Sequence, residues 1–107
     1  MKVPELPHSE LTSLILKCCF EVINELGTGF LESVYRNVLF LALQQKEILV
    51  EADLIAQGTV IIELKCCKCL LPEHNAQVIN YLKAAKLSVG LLVIFGKYRL
   101  EIRRLYG

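Results

Sequence analysis

A chain of 107 residues supports one compact domain with a modest core, and 54% hydrophobic against 21% charged residues is a folded composition, not a disordered one. Twelve basic against eleven acidic side chains leave a net charge of +1, which excludes bulk electrostatic attraction to nucleic acid; any such binding has to come from a local patch or a bound metal. The longest wholly apolar run, Val89–Phe95, is too short to cross a bilayer, so no membrane span is expected.

Residues 1–8 carry two prolines and read as an irregular arm. The opening MKVPELPHSE has no apolar segment of the secretory kind, which points to the cytoplasm. Ser9 is a helix cap by residue type. The apolar positions Leu11, Leu14, Ile15, Cys18, Cys19, Val22, Ile23 and Leu26 then follow a 3.6-residue period. Gly27 stands where a helix end wants a left-handed residue. A second helix is expected over residues 30–45, with Leu31, Val34, Val38, Leu41 and Ala42 as its core stripe. Strand-like sequence follows at residues 48–50, 52–56 and 59–67, with Gly58 as the turn. Pro72 suits the first turn of a third helix reaching Ala85 or Lys86. Residues 88–95 read as a central strand, 96–98 as a turn and 99–105 as a last strand. No repeat, linker or low-complexity tract interrupts the order, and residues 1–107 read as a single domain.

The charges in DLIAQGTVIIELKCCKC, residues 53–69, stand out because the segment is otherwise apolar. Alternation puts Ile61, Glu63, Lys65 and Cys67 on one face of their strand and Val60, Ile62, Leu64 and Cys66 on the other. Glu63 and Lys65 are therefore neighbours, about 7 Å apart along the strand. A two-residue turn at Gln57-Gly58 would pair Asp53 with Ile62, on the wrong face. A three-residue turn, Ala56-Gln57-Gly58, would pair Asp53 with Ile61 and bring it diagonally to Glu63. Two carboxylates on one face suit magnesium, and a lysine beside them can act on a water or on charge developing at a phosphate. An acid followed ten residues later by an acid and a lysine also arises by chance. On the hairpin alone, a weak ion pair at a sheet edge accounts for it.

On the third helix His74, Gln77 and Tyr81 fall on one polar face, opposite Val78, Ile79, Leu82 and Ala85. On the second, Glu32 and Tyr35 are three apart and project together, just after Gly29. Taken singly, such residues read as the solvated faces of amphipathic helices.

Together these segments resemble a known family. GFLESVY, residues 29–35, is similar to the signature of the GxxExxY proteins, which belong to the PD-(D/E)XK nuclease superfamily. The resemblance resumes at ADLIAQGTVIIELK and continues through PEHNAQVINYLKAAKLSVGLLVIFG into the last strand. It implies an α/β (α+β) fold with a restriction-endonuclease-like core, a small mixed sheet flanked by helices. It further implies a nuclease that hydrolyses phosphodiester bonds with magnesium, for which manganese can substitute. Asp53 and Glu63 would then be metal ligands, Glu32 the helix-borne acid that assists them and Lys65 the catalytic lysine. Gln77 and Tyr81 would match a Q-x-x-x-Y motif that supports the site and contacts substrate. DNA is the first expected substrate and RNA stays open.

Leu49-Val50-Glu51 runs straight into Ala52-Asp53, where members of the superfamily carry a further strand-bearing segment. The first core strand is thus expected to be missing or reduced to residues 48–50. That leaves an open sheet edge, and a homodimer or higher oligomer is expected across it. A catalytically inactive nuclease-fold module for oligomerisation or nucleic-acid binding is the alternative function. Five cysteines, an odd number, speak against a disulfide framework. Cys66, Cys67 and Cys69 lack zinc-site spacing and read as small apolar residues, as do Cys18 and Cys19. Arg99, Glu101 and Arg103 alternate on the last strand as a solvated face, Glu101 interrupting any phosphate-binding patch.

Overall fold

The computed structural model describes residues 8–51, 54–67, 71–96 and 99–107. Residues 1–7 of the expected arm, Asp53, Cys69 and residues 97–98 of the expected turn lie outside them. Helix α1 (Ser9–Leu26) buries Ile15, Cys18, Cys19 and Val22, while Leu14, expected inside, stands 41% exposed. Ser9 is not the cap. His8, left-handed at φ 56°, turns the chain one residue earlier, and Ser9 instead accepts the Thr12 hydroxyl on its carbonyl. Gly27 ends the helix at φ 72°, as expected, and donates its N–H to Ile23 O at 2.8 Å.

Helix α2 (Glu32–Gln45) starts two residues later than expected and is rotated about its axis. Its buried stripe is Tyr35, Leu39 and Leu43; Leu31 and Leu41 point outward, and Val34, Val38 and Ala42 are only half-buried. Apolar residues occupy nearly every position from Val34 to Leu43, so periodicity alone could not select the inward face. The sheet selects it.

After α2, the chain makes one antiparallel bridge, Val50 to Ala56, flanked by Gln57 N–H to Leu49 O and Glu51 N–H to Ile55 O. The expected strand at residues 48–50 is thus reduced to a single bridge among the described residues. Strand β1 (Ile55–Ala56) is shorter than expected and pairs with β2 (Val60–Lys65). The turn has three residues, but they are Gln57, Gly58 and Thr59, one position later than predicted. Gln57 and Gly58 both take left-handed backbone, φ 54° and 65°, which closes the turn there. Ala56 therefore faces Val60 and Ile55 faces Ile61, in place of the register that would have set position 53 against Ile61. The shift is even, so odd positions still oppose odd positions.

Helix α3 (Pro72–Ala85) is the crossover that parallel pairing demands, carrying the chain from β2 to β3 (Val89–Phe95). Strand β4 (Leu100–Tyr106) returns antiparallel on β3, giving the sheet order β1-β2-β3-β4. Every residue of β3 is buried, which is why its sequence is an unbroken apolar run. Val60, Ile62, Leu64, Leu91, Val93 and Phe95 face α1 and α2; Ile61, Leu92 and Ile94 face Val78 and Leu82 of α3. Gly90 lets α3 approach: a Cβ there would lie 2.8 Å from Val78 Cγ1 and 3.3 Å from Leu82 Cδ1. No helix among the described residues is long and apolar enough to cross a membrane.

Candidate active site

Strand β2 carries Ile61, Glu63 and Lys65 on the α3 face, and burial falls along that row. Ile61 is packed beneath Val78 and Leu82, while the side chains of Glu63 and Lys65 are 34% and 29% exposed. Lys65 Nζ lies 3.3 Å from Glu63 Oε1. A half-exposed pair of this kind adds little to stability, about 0–1 kcal/mol, so folding alone gives weak reason to keep both charges beside a core strand. The strands next to it extend the row: Glu63 is level with Leu92 and Arg103, Lys65 with Ile94 and Glu101.

Glu32 sits in the first turn of α2, where the helix dipole favours an acid. Its Oε1 accepts the N–H of Cys66 at 3.3 Å, and Oε2 lies 3.9 Å from Arg36 Nη2. The carboxylate is thereby fastened to the residue that directly follows Lys65. Tyr35 does not share this outlook, contrary to expectation. It is 1% exposed, its hydroxyl donates to Gly27 O at 2.7 Å and accepts the Phe30 N–H at 3.4 Å. Its ring stacks on Phe95 at 4.4 Å and 11°, and Phe30 meets it edge-on at 6.1 Å. Tyr35 thus pins the loop that delivers Glu32. A cavity of about 420 Å³ opens beside that loop, lined among others by Gly29, Phe30, Cys66 and Phe95.

The third-helix residues divide. His74 is a cap: its Nδ1 accepts the Leu71 N–H at 3.2 Å and its own N–H donates to Leu71 O at 3.0 Å. Gln77 and Tyr81 are exposed and make no side-chain hydrogen bond among the described residues, so no hydrogen bond joins them to Glu63 or Lys65. Asp53 lies outside the described residues. Among those described, no group of three His, Cys, Asp or Glu side chains is close enough to hold a metal ion.

The cysteines behave as their neighbours dictate. Cys18 and Cys19 are fully buried in the α1 core, as expected, and burial pushes the Cys19 thiol up to about 12. Cys66 is half-buried and its thiol is raised by burial first, then by the Glu32 and Cys67 charges. Periodicity had no means of showing the Glu32 to Cys66 bond or the Tyr35 stack on Phe95, which join residues far apart in the chain. The aromatic three places after Glu32 is the signal the sequence offers, and its ring belongs to the core, not to the surface.

No curated protein and no solved structure matches the chain. The sequence model of the PD-(D/E)XK nuclease superfamily matches residues 9–53 and 48–105, two segments that meet where the helical half enters β1. A mixed four-stranded sheet with helices on both faces is consistent with the fold of that superfamily. Matched over nearly its whole length, the chain belongs to the PD-(D/E)XK nuclease superfamily.

Proposed function

We propose that the protein is a divalent-metal-dependent nuclease that hydrolyses phosphodiester bonds, with DNA as its first substrate, and that it is a shortened member of the GxxExxY branch. The observation that carries this reading is the Glu63–Lys65 pair at 3.3 Å on the half-open face of β2, with the Glu32 carboxylate fastened to the next peptide. Shortening is supported by the single bridge at Val50 and by the meeting of the two matched segments at residues 48–53.

The donor chemistry fits magnesium or manganese. Glu63 Oε1 lies 3.3 Å from Lys65 Nζ, and the carboxylate is one-third exposed, open to an ion from the solvent side. Magnesium needs only one or two carboxylates besides water and substrate phosphate, so it does not require a three-residue cage. Glu63 would hold it, with Asp53 proposed beside it from the family resemblance and Glu32 as a nearby acid. When bound, the ion supplies Lewis acidity and lowers the pKa of a coordinated water. Lys65, kept upright by Glu63, donates to a phosphate oxygen as charge develops there. Gln77 and Tyr81, exposed on α3, are proposed to steady the substrate.

Cleavage of labelled single- and double-stranded DNA with magnesium or manganese tests the reading. Lys65→Ala, Asp53→Ala and Glu63→Gln should each lower the rate by about 10²-fold or more, the scale for loss of a preorganised group. Equal traces of cleavage in wild type and all variants would mean a contaminant and would overturn it. Metal should also raise the melting temperature of wild type and not that of Asp53→Asn.

The reduced first strand favours a second reading, an inactive module of the same fold. That reading predicts no gain in stability with metal. In either case a homodimer is proposed across the edge beside Val50, where Leu49 stands 69% exposed. A monomer by light scattering at micromolar concentration would refute the dimer.

A further inference from the structure

The two edges of the sheet differ. Beside β1 the chain makes one bridge, at Val50, whereas β4 borders the sheet over seven residues, Leu100–Tyr106. Gly96 N–H donates to Arg99 O and Gly107 N–H to Ser88 O, both at 3.0 Å, and these bonds fix the phase of the β3–β4 ladder. Residues 99, 101, 103, 105 and 107 turn their backbone groups toward β3, and residues 100, 102, 104 and 106 turn theirs outward. The outward groups of Leu100, Ile102 and Tyr106 have no partner among the described residues. A groove of about 270 Å³ follows this edge, lined by five consecutive residues, 99–103. Neighbours on a strand point to opposite faces, so a groove touching all five runs along the border of the sheet and over neither face.

An open strand is a template for another strand, and charges of a single sign along it would repel a second copy. On β4 the signs alternate. Arg99 Nη2 lies 2.8 Å from Glu101 Oε1, and Arg103 follows on the same face, exposed and with no ion-pair or hydrogen-bond partner among the described residues. Two copies meeting antiparallel must set outward-turned residues against outward-turned residues, so their two-fold axis passes through a residue and not between two. Centring on Glu101, Arg103 or Arg104 would oppose like charges at the axis. Centring on Ile102, half-buried and apolar, opposes that residue to itself and Leu100 to Arg104. It also opposes Glu101 to Arg103 of the second copy, twice over. Those two charge pairs fall at positions that exchange no backbone bonds, where side chains stand nearest, with Cα atoms about 4.5 Å apart.

We infer that β4 is a self-association surface: a second copy of this chain adds its own β4 antiparallel, Ile102 against Ile102, with Glu101 of each facing Arg103 of the other. Backbone bonds from the outward-turned residues supply the pairing, and the two charge pairs select its register. The inference depends neither on the nuclease reading nor on the dimer proposed beside Val50, which lies at the other end of the sheet.

Sedimentation of the full chain over a range of concentration tests it, with circular dichroism to check folding. Wild type, Glu101→Arg, Arg103→Glu, an equimolar mixture of those two variants, and Leu49→Asp at the other edge are compared. Each charge reversal alone sets like charges opposite one another twice, so each should weaken association by about tenfold or more. Mixed, the two variants form a heterodimer in which both pairs are again opposite in sign, so the mixture should associate as wild type does. Leu49→Asp should still dimerise. A mixture no more associated than its components overturns the inference, as does a wild type that is monomeric at submillimolar concentration. Association that survives both reversals also overturns it, and if Leu49→Asp then abolishes that association, the edge beside Val50 carries the dimer instead. Should either reversal fail to fold, Glu101→Gln and Arg103→Gln replace the pair; each should weaken association, and unchanged association in both overturns the inference.

Discussion

Replacing Tyr35 with phenylalanine removes one oxygen atom and tests whether the hydroxyl holds the loop that aims Glu32. The hydroxyl donates one short bond, 2.7 Å, to Gly27 O and accepts a long one, 3.4 Å, from the Phe30 N–H. A neutral hydrogen bond is worth about 0.5–1.5 kcal/mol net, with more lost when the orphaned partner is buried. Gly27 is only half-buried, which lets water reach its carbonyl and keeps the cost near about 1 kcal/mol. At about 2.1 cal/mol/K per residue, 107 residues have an unfolding entropy near 0.22 kcal/mol/K, so the melting temperature should fall about 4–5 °C. Tyr35→Ala also loses the stack on Phe95 and leaves a cavity, which should cost about 3–5 kcal/mol. Thermal melts by circular dichroism at one protein concentration measure both. A phenylalanine variant melting within about 1 °C of wild type would refute the pinning role. So would equal losses in the two variants.

Gly90→Ala should destabilise by about 1–3 kcal/mol, because the added carbon meets Val78 Cγ1 at 2.8 Å in a packed core. Denaturant midpoints check it, and adding Val78→Ala should recover part of the loss; simple additivity of the two would argue that they do not touch. The Cys19 thiol, lifted from an ordinary 9.0 to about 12, makes stability depend on alkaline pH. Its folded pKa lies above the unfolded one, so its contribution is whole below about pH 9 and drains away as pH rises through 12, by up to about 1.4 kcal/mol per pH unit. Urea midpoints at about pH 8 and about pH 11 should diverge less in Cys19→Ala than in wild type, and an equal fall in both would show that this thiol is not the cause.

The two faces of the sheet were legible in the sequence because strand alternation is strictly local. Glu63 and Lys65 had to be neighbours, and β3 had to be central, whatever the rest of the chain did. The helices were legible in place but not in rotation. With apolar residues nearly all round α2, only the sheet beneath it could choose Tyr35, Leu39 and Leu43 as the inward stripe. The hairpin register was out of reach for a related reason: Gln57 and Gly58 share left-handed backbone, and sequence alone located the turn one residue too early. Glu32 on the Cys66 amide, Tyr35 on Phe95 and the row from Glu63 to Arg103 join segments separated by tens of residues. Such contacts depend on how elements pack, which no local period encodes, whereas the order of the side chains along each strand follows from the covalent chain itself.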